Sequence, residues 1–178
     1  LMTAIGARLA ASKSPVRLKI IDKGSALAAT QAFAKGEVDL AIVRPDLGDM
    51  SNARTVVLVT NGVLLMIALP GHKIESIDDL KGKTLGVVGG PVNKQLLDAL
   101  DREYDLTRSK VHFKDLLPAE IPAAIGSKQV QALMIVAPIS ERYLTQIRVL
   151  FPRDAKQKPT LLAVESAGAI AAVNKAYE

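Results

Sequence analysis

The stretch Gly36-Glu37-Val38-Asp39-Leu40-Ala41-Ile42-Val43-Arg44-Pro45-Asp46 constrains this chain more than any other. From Val38 to Val43 every residue except Asp39 is apolar, the pattern of a strand buried on both faces. Helix-forming residues precede it, and a charged pair interrupted by proline ends it. A buried strand ending in this way presents polar groups at the carboxyl edge of a sheet, where open α/β folds bind ligands. Arg44 is therefore the first ligand candidate, since a guanidinium can clamp a carboxylate with two parallel hydrogen bonds. Asp46 is the second, as receiver of an ammonium group or as the partner that orients Arg44. The plainer alternative is that Arg44 and Asp46 pair with each other.

The flanking residues point to an α/β fold. Residues 2–12 read as a helix, 16–21 as a strand and Ala26–Lys35 as a second helix capped by Ser25. Gly36 closes that helix. Strand, helix and strand in under thirty residues imply a right-handed βαβ unit and a parallel sheet. Further along, two apolar runs, 55–60 and 63–69, flank Asn61-Gly62. Asn-Gly is a strong hairpin signal, but a single segment bending there from one sheet into another suits a βαβ layout better.

Beyond Pro70-Gly71 come a helical turn at 76–80, a strand at 84–88, the loop Gly89-Gly90-Pro91-Val92-Asn93 and a helix to about Tyr104. Strands are expected at 111–113, 130–136, 147–151 and 161–164, and helices at 118–125, 140–145 and 167–177. Residues 33–43 and 125–135 echo each other: helix end, glycine turn, valine, polar residue, apolar strand. The echo suggests two similar α/β halves. The expected division is a first lobe over 1–69, a second over 70–147 and a return segment over 148–178. Two lobes joined by two crossings would leave a cleft between them. The chain also opens mid-element, so a first strand is expected upstream of residue 1.

Composition narrows the function. Aromatic residues are 3% of the chain and tryptophan is absent, which leaves little to stack nucleic-acid bases or cage a quaternary amine. The net charge of +5 is spread over scattered lysines, a pattern suited to attracting small anions rather than a phosphate backbone. No nucleic-acid partner is expected. Without cysteine there is no disulfide, thiolate nucleophile or thiolate-bound zinc. His72 and His112 are isolated, so neither a metal site nor a cofactor is expected. No serine sits in a nucleophile elbow and no histidine has an acid partner nearby; the chain does not read as an enzyme. The apolar run 62–70 is too short to span a bilayer, and no signal peptide is legible.

Two loops run from a strand into a helix N-terminus: Gly24-Ser25 and Gly89–Asn93. Backbone N–H groups there favour an acidic ligand, glycine permits close approach, and Ser25 and Asn93 add donors. Ordinary turn and cap chemistry would explain either loop alone. Neither the phosphate-loop nor the dinucleotide fingerprint is present. Thr60 and Asn61 stand where the chain leaves the first lobe and are further candidates.

These residues carry a resemblance. Ile77-Asp78-Asp79-Leu80-Lys81-Gly82-Lys83-Thr84-Leu85-Gly86-Val87, with Gly24-Ser25 and Gly36–Ala41, resembles the type 2 periplasmic solute-binding proteins over residues 16–140. It is most similar to the TAXI family of receptors that serve TRAP transporters, with the NMT1/THI5-like, sulfonate and nitrate binders as relatives. The resemblance implies a periplasmic binding protein-like type II fold and a cleft lined by Gly24, Ser25, Arg44, Pro45, Asp46, Thr60, Asn61, Gly89, Gly90 and Asn93. It implies a small carboxylate, sulfonate or similar anionic solute, and membrane transporter subunits as partners. The implied location is the periplasm or the outer face of the cytoplasmic membrane. Two departures stand out: Gln131 replaces an aspartate, and Pro91 a small polar residue. The effector-binding domain of LysR-type regulators shares this fold and is the alternative. An enzyme of the same fold, such as a heme-precursor deaminase, is a weaker third.

Overall fold

The computed structural model describes residues 2–151 and 158–177. The chain forms two compact units, Leu1–Met50 and Ser51–Glu178. In the first, helix α1 (Met2–Ala11) and helix α2 (Ala26–Ala34) are joined by extended chain, and Pro45–Leu47 makes a 3-10 turn. Ser25 caps α2 as expected, its Oγ accepting the Ala28 N–H at 3.1 Å.

The βαβ unit expected over 16–43 does not form among the described residues. Among the described residues of this unit, neither 16–21 nor 38–43 pairs as a strand. Val16, Ile20, Ile21, Leu40 and Ile42 are all exposed. Strand-like sequence supplies extended backbone, but a ladder requires a partner row, and two strands alone are only marginally stable.

The second unit holds the sheet. Strands β1 (Gly62–Ala68), β2 (Thr84–Val88), β3 (His112–Leu116), β4 (Ala132–Pro138) and β5 (Thr160–Leu162) lie in the order β3-β2-β4-β1-β5. β2 runs parallel to β3 and β4. β1 runs antiparallel to β4 and β5. The division after Met50 thus differs from one at residue 69, because β1 is hydrogen-bonded on both sides within this sheet. β5 joins the sheet too, so 158–177 fall with the second unit. No hairpin forms at Asn61-Gly62: residues 55–60 pair with nothing described, and Val56, Val57 and Leu58 are exposed.

Helices cover both faces of the sheet. These are α3 (Lys94–Tyr104), α4 (Ile121–Gly126), α5 (Glu141–Val149) and α6 (Ala167–Val173). The period of two along each strand sorts the core. Met66, Ala68, Leu85, Val87, Ala132 and Met134 face Leu96 and Leu100 of α3 and Ile170 of α6. Ile67, Leu116, Leu133 and Ile135 face Ile121 and Ala124 of α4, with Phe151. Gly86 sits where a Cβ would lie 2.7 Å from Leu116 Cδ1 and 2.9 Å from Leu133 Cδ2, so a side chain there would push these leucines aside.

The strand expected at 147–151 is instead the end of α5 and the turn after it. Ile147, Leu150 and Phe151, at helical i, i+3, i+4 spacing, all turn onto the second core cluster. β3 extends three residues further than expected, and β4 begins two residues later. β2 follows a turn held by Asp79, whose carboxylate accepts the N–H groups of Glu75 and Ser76 at 3.0 and 2.9 Å and the Ser76 hydroxyl at 3.0 Å. Those donors hold its pKa below the usual carboxylate value. The segment that carried the family resemblance thus has structural work in this turn, with Leu80 fully buried behind it.

Candidate functional site

Strand order locates the candidate edge. β2 leads through α3 to β3 on one side, and β3 leads through α4 to β4 on the other. The order therefore reverses beside the carboxyl end of β2, the position where open α/β sheets bind ligands. The loop Gly89–Asn93 occupies it. Gly89 and Gly90 both adopt left-handed backbone, with φ of 90° and 43°. Gly90 and Pro91-Val92-Asn93 then make a 3-10 turn into α3.

Other expected residues gather at this edge. Gly62 lies opposite Pro138, so the start of β1 and the end of β4 coincide. Thr60 and Asn61, both exposed, immediately precede that point. The Thr60 hydroxyl donates to the Asn61 carbonyl at 3.3 Å. Beyond β4, Ser140 Oγ caps α5 by accepting the Tyr143 N–H at 3.4 Å.

Asn93 is placed differently from expectation. Its side chain is buried, and its amide donates back to the Val88 carbonyl at 2.6 Å. That bond pins the loop to the end of β2 and turns the amide inward rather than toward a solute.

The remaining candidates lie in the first unit. Gly24 is left-handed, with φ of 75°, and its N–H bonds Asp22 Oδ1 at 2.8 Å. Arg44 Nε donates to Asp46 Oδ1 at 3.0 Å and Nη2 to Oδ2 at 2.6 Å. Asp46 is 4% exposed while the Arg44 side chain is 30% exposed. The fork that a solute carboxylate would use is occupied by Asp46, which matches the plainer of the two roles considered for this pair. Pro45 begins the 3-10 turn that sets the Arg44–Asp46 geometry.

Gln131, the departure noted above, does a defined job. Its Oε1 accepts the Thr84 N–H at 2.8 Å, and its backbone N–H donates to the Thr84 carbonyl at 2.9 Å. The side chain thereby holds the start of β2 against the start of β4.

Asp115 was not foreseen. Paired with Val87 across the parallel ladder, it stands near the carboxyl end of β3 beside the glycine loop. A Cβ on Gly90 would lie 3.1 Å from Asp115 Cγ and 3.2 Å from Oδ2, so the carboxylate lies directly over Gly90. The apolar pattern fades after Phe113, which ended the expected strand before reaching this residue. Among the described residues no group of His, Asp and Glu side chains could hold a metal ion, and no helix is long and apolar enough to cross a membrane.

A family model described as NMT1/THI5 like matches residues 13–165. The chain belongs to that family. No curated protein matches this NMT1/THI5-like chain. Among solved structures, it is similar to the periplasmic aliphatic sulphonate binding protein of Escherichia coli, with a TM-score of 0.56 and 18% identity, covering 90% of this chain and 50% of that one. The chain thus spans half the length of that protein. It is also similar to the ligand-binding component of an ABC-type import system from Staphylococcus aureus, with a TM-score of 0.54, 16% identity and coverage of 91% and 55%. An ancestral arginine-binding protein matches with a TM-score of 0.51 and 17% identity over 99% of this chain and 79% of its own. The fold is the α/β, two-lobed periplasmic binding-protein-like class.

Proposed function

We propose that this chain is the solute receptor of a transport system, acting outside the cytoplasmic membrane: it binds a small organic solute bearing an acidic group and passes it to membrane subunits. The observation that carries the reading is the glycine loop at the strand-order reversal, left-handed at Gly89 and Gly90 and pinned by Asn93, in a chain of this family. Such a loop forms a fixed rim for a solute. Thr60 and Asn61 belong to the same edge. The proposed role is binding and delivery rather than catalysis. A net charge of +5 supports an anionic solute. Delivery to a TRAP transporter, as the TAXI-like segment suggests, is the narrower form of the proposal.

The test begins with purified protein, denatured to release any solute carried through purification. Mass spectrometry identifies what is released, and the refolded protein is titrated with it calorimetrically. The receptor reading expects a small organic acid that rebinds stoichiometrically with micromolar affinity. Refolded protein that binds neither a released compound nor a panel of organic acids would contradict it.

A further inference from the structure

We infer that Asp115 is a specificity-determining residue of this edge, and that the solute it selects carries a cationic amino group besides its acidic one. The inference rests on the receptor reading above and deepens it. Asp115 stands where β3 meets the loop after β2, near the carboxyl edge of the parallel strands. Its side chain is exposed although Gly90 beneath it is buried. A solute arriving at this corner therefore meets the carboxylate of Asp115 before the backbone of Gly90.

The environment leaves that carboxylate available. Among the described residues it takes part in no hydrogen bond or ion pair. Lys114, next to it in sequence, and Lys94, just after the glycine loop, each bond another residue. Lys114 donates to Gln129, on the other side of its strand. Lys94, which opens α3, pairs with Asp98 at 3.2 Å. An exposed carboxylate with no protein partner repels an acidic group placed against the same loop and attracts an ammonium.

The geometry is also specific. Gly90 is the position at which a side chain would collide with the Asp115 carboxylate. Asn93 Nδ2 donates to the Val88 carbonyl and holds the loop in place beneath it. Asp115 thus sets a fixed acceptor beside the loop, and the amino group of the solute is the part it would meet.

Matched probe pairs test the inference: homotaurine against propanesulfonate, and γ-aminobutyrate against butyrate, each titrated into the parent protein, Asp115→Asn and Asp115→Glu. The expected result is that the aminated member of at least one pair binds ~10-fold or more tighter than its amine-free partner, the scale of a charge-assisted hydrogen bond. Asp115→Asn should abolish that preference and Asp115→Glu partly restore it. Circular dichroism and melting of the exposed, isosteric Asn variant should match the parent. Amine-free acids binding equally well, or a preference that survives Asp115→Asn, would overturn the role of Asp115 while leaving the receptor standing. Failure of both pairs to bind would refute the proposed solute class, and the solute released in the first experiment would then judge the receptor reading separately.

Discussion

Residues 33–43 and 125–135 have the same pattern and begin with the same structure, yet they end differently. In the first, Lys35 N–H bonds Gln31 O, Gly36 N–H bonds Phe33 O and Glu37 N–H bonds Ala32 O, at 3.0, 2.9 and 2.9 Å. In the second, Ser127 bonds Ala123, Lys128 bonds Ile125 and Gln129 bonds Ala124, at 2.9, 3.0 and 3.0 Å. The two helix closures are the same, residue for residue, with Gly36 and Lys128 in the left-handed position. Three residues later they part. Ala132–Pro138 becomes β4, paired on both sides, whereas 38–43 stays extended and unpaired with Leu40 and Ile42 exposed. Helix closure is written in a few neighbouring residues, while a strand requires partners distant in sequence.

The polar residue at the matched position records the difference. Gln131 ties two strands together through Thr84, while the corresponding Asp39 is exposed. Replacing Gln131 with leucine leaves the Thr84 N–H without its side-chain acceptor and should destabilise the protein by about 1–3 kcal/mol. Asp39→Leu should stay within about 0.5 kcal/mol, as surface substitutions do. Urea unfolding of the two variants measures both, and equal effects would break the contrast.

A smaller and opposite pair comes from the turns. Lys128 holds a left-handed backbone, with φ of 55°, that glycine adopts without strain, so Lys128→Gly should stabilise by roughly 0.5–1 kcal/mol. Gly36→Ala places a Cβ in the left-handed conformation at the matching position and should cost about 1 kcal/mol. Melting curves of both variants test whether the two closures are energetically as well as geometrically equivalent.

The same contrast explains what was legible in the sequence. The Ser25 cap, the Gly36 closure and the apolar run of β2 are local signals, and they stand where expected. Ser25 caps α2, and the Gly89–Asn93 loop opens α3. The end of α5 reads as a strand because Ile147, Val149 and Phe151 favour strands locally, while the helical spacing of Ile147, Leu150 and Phe151 matters only once a core exists to receive it. Arg44 stood out by its place after an apolar run, but its bond to Asp46 depends on how the Pro45 turn folds. Asp115 was invisible for the converse reason. Its position comes from the register that sets it beside Val87 and over Gly90, and no local pattern encodes that register.

The central claim is that the carboxyl edge of the second unit's sheet receives the solute. Amide chemical-shift mapping during titration with the released solute tests it most directly. The account predicts the largest changes at Asn61, Gly89, Gly90 and Asp115, with the helix faces away from that edge undisturbed. Changes concentrated instead in the groove of Gln95, Arg102 and Tyr177, between α3 and the chain after α6, would contradict it.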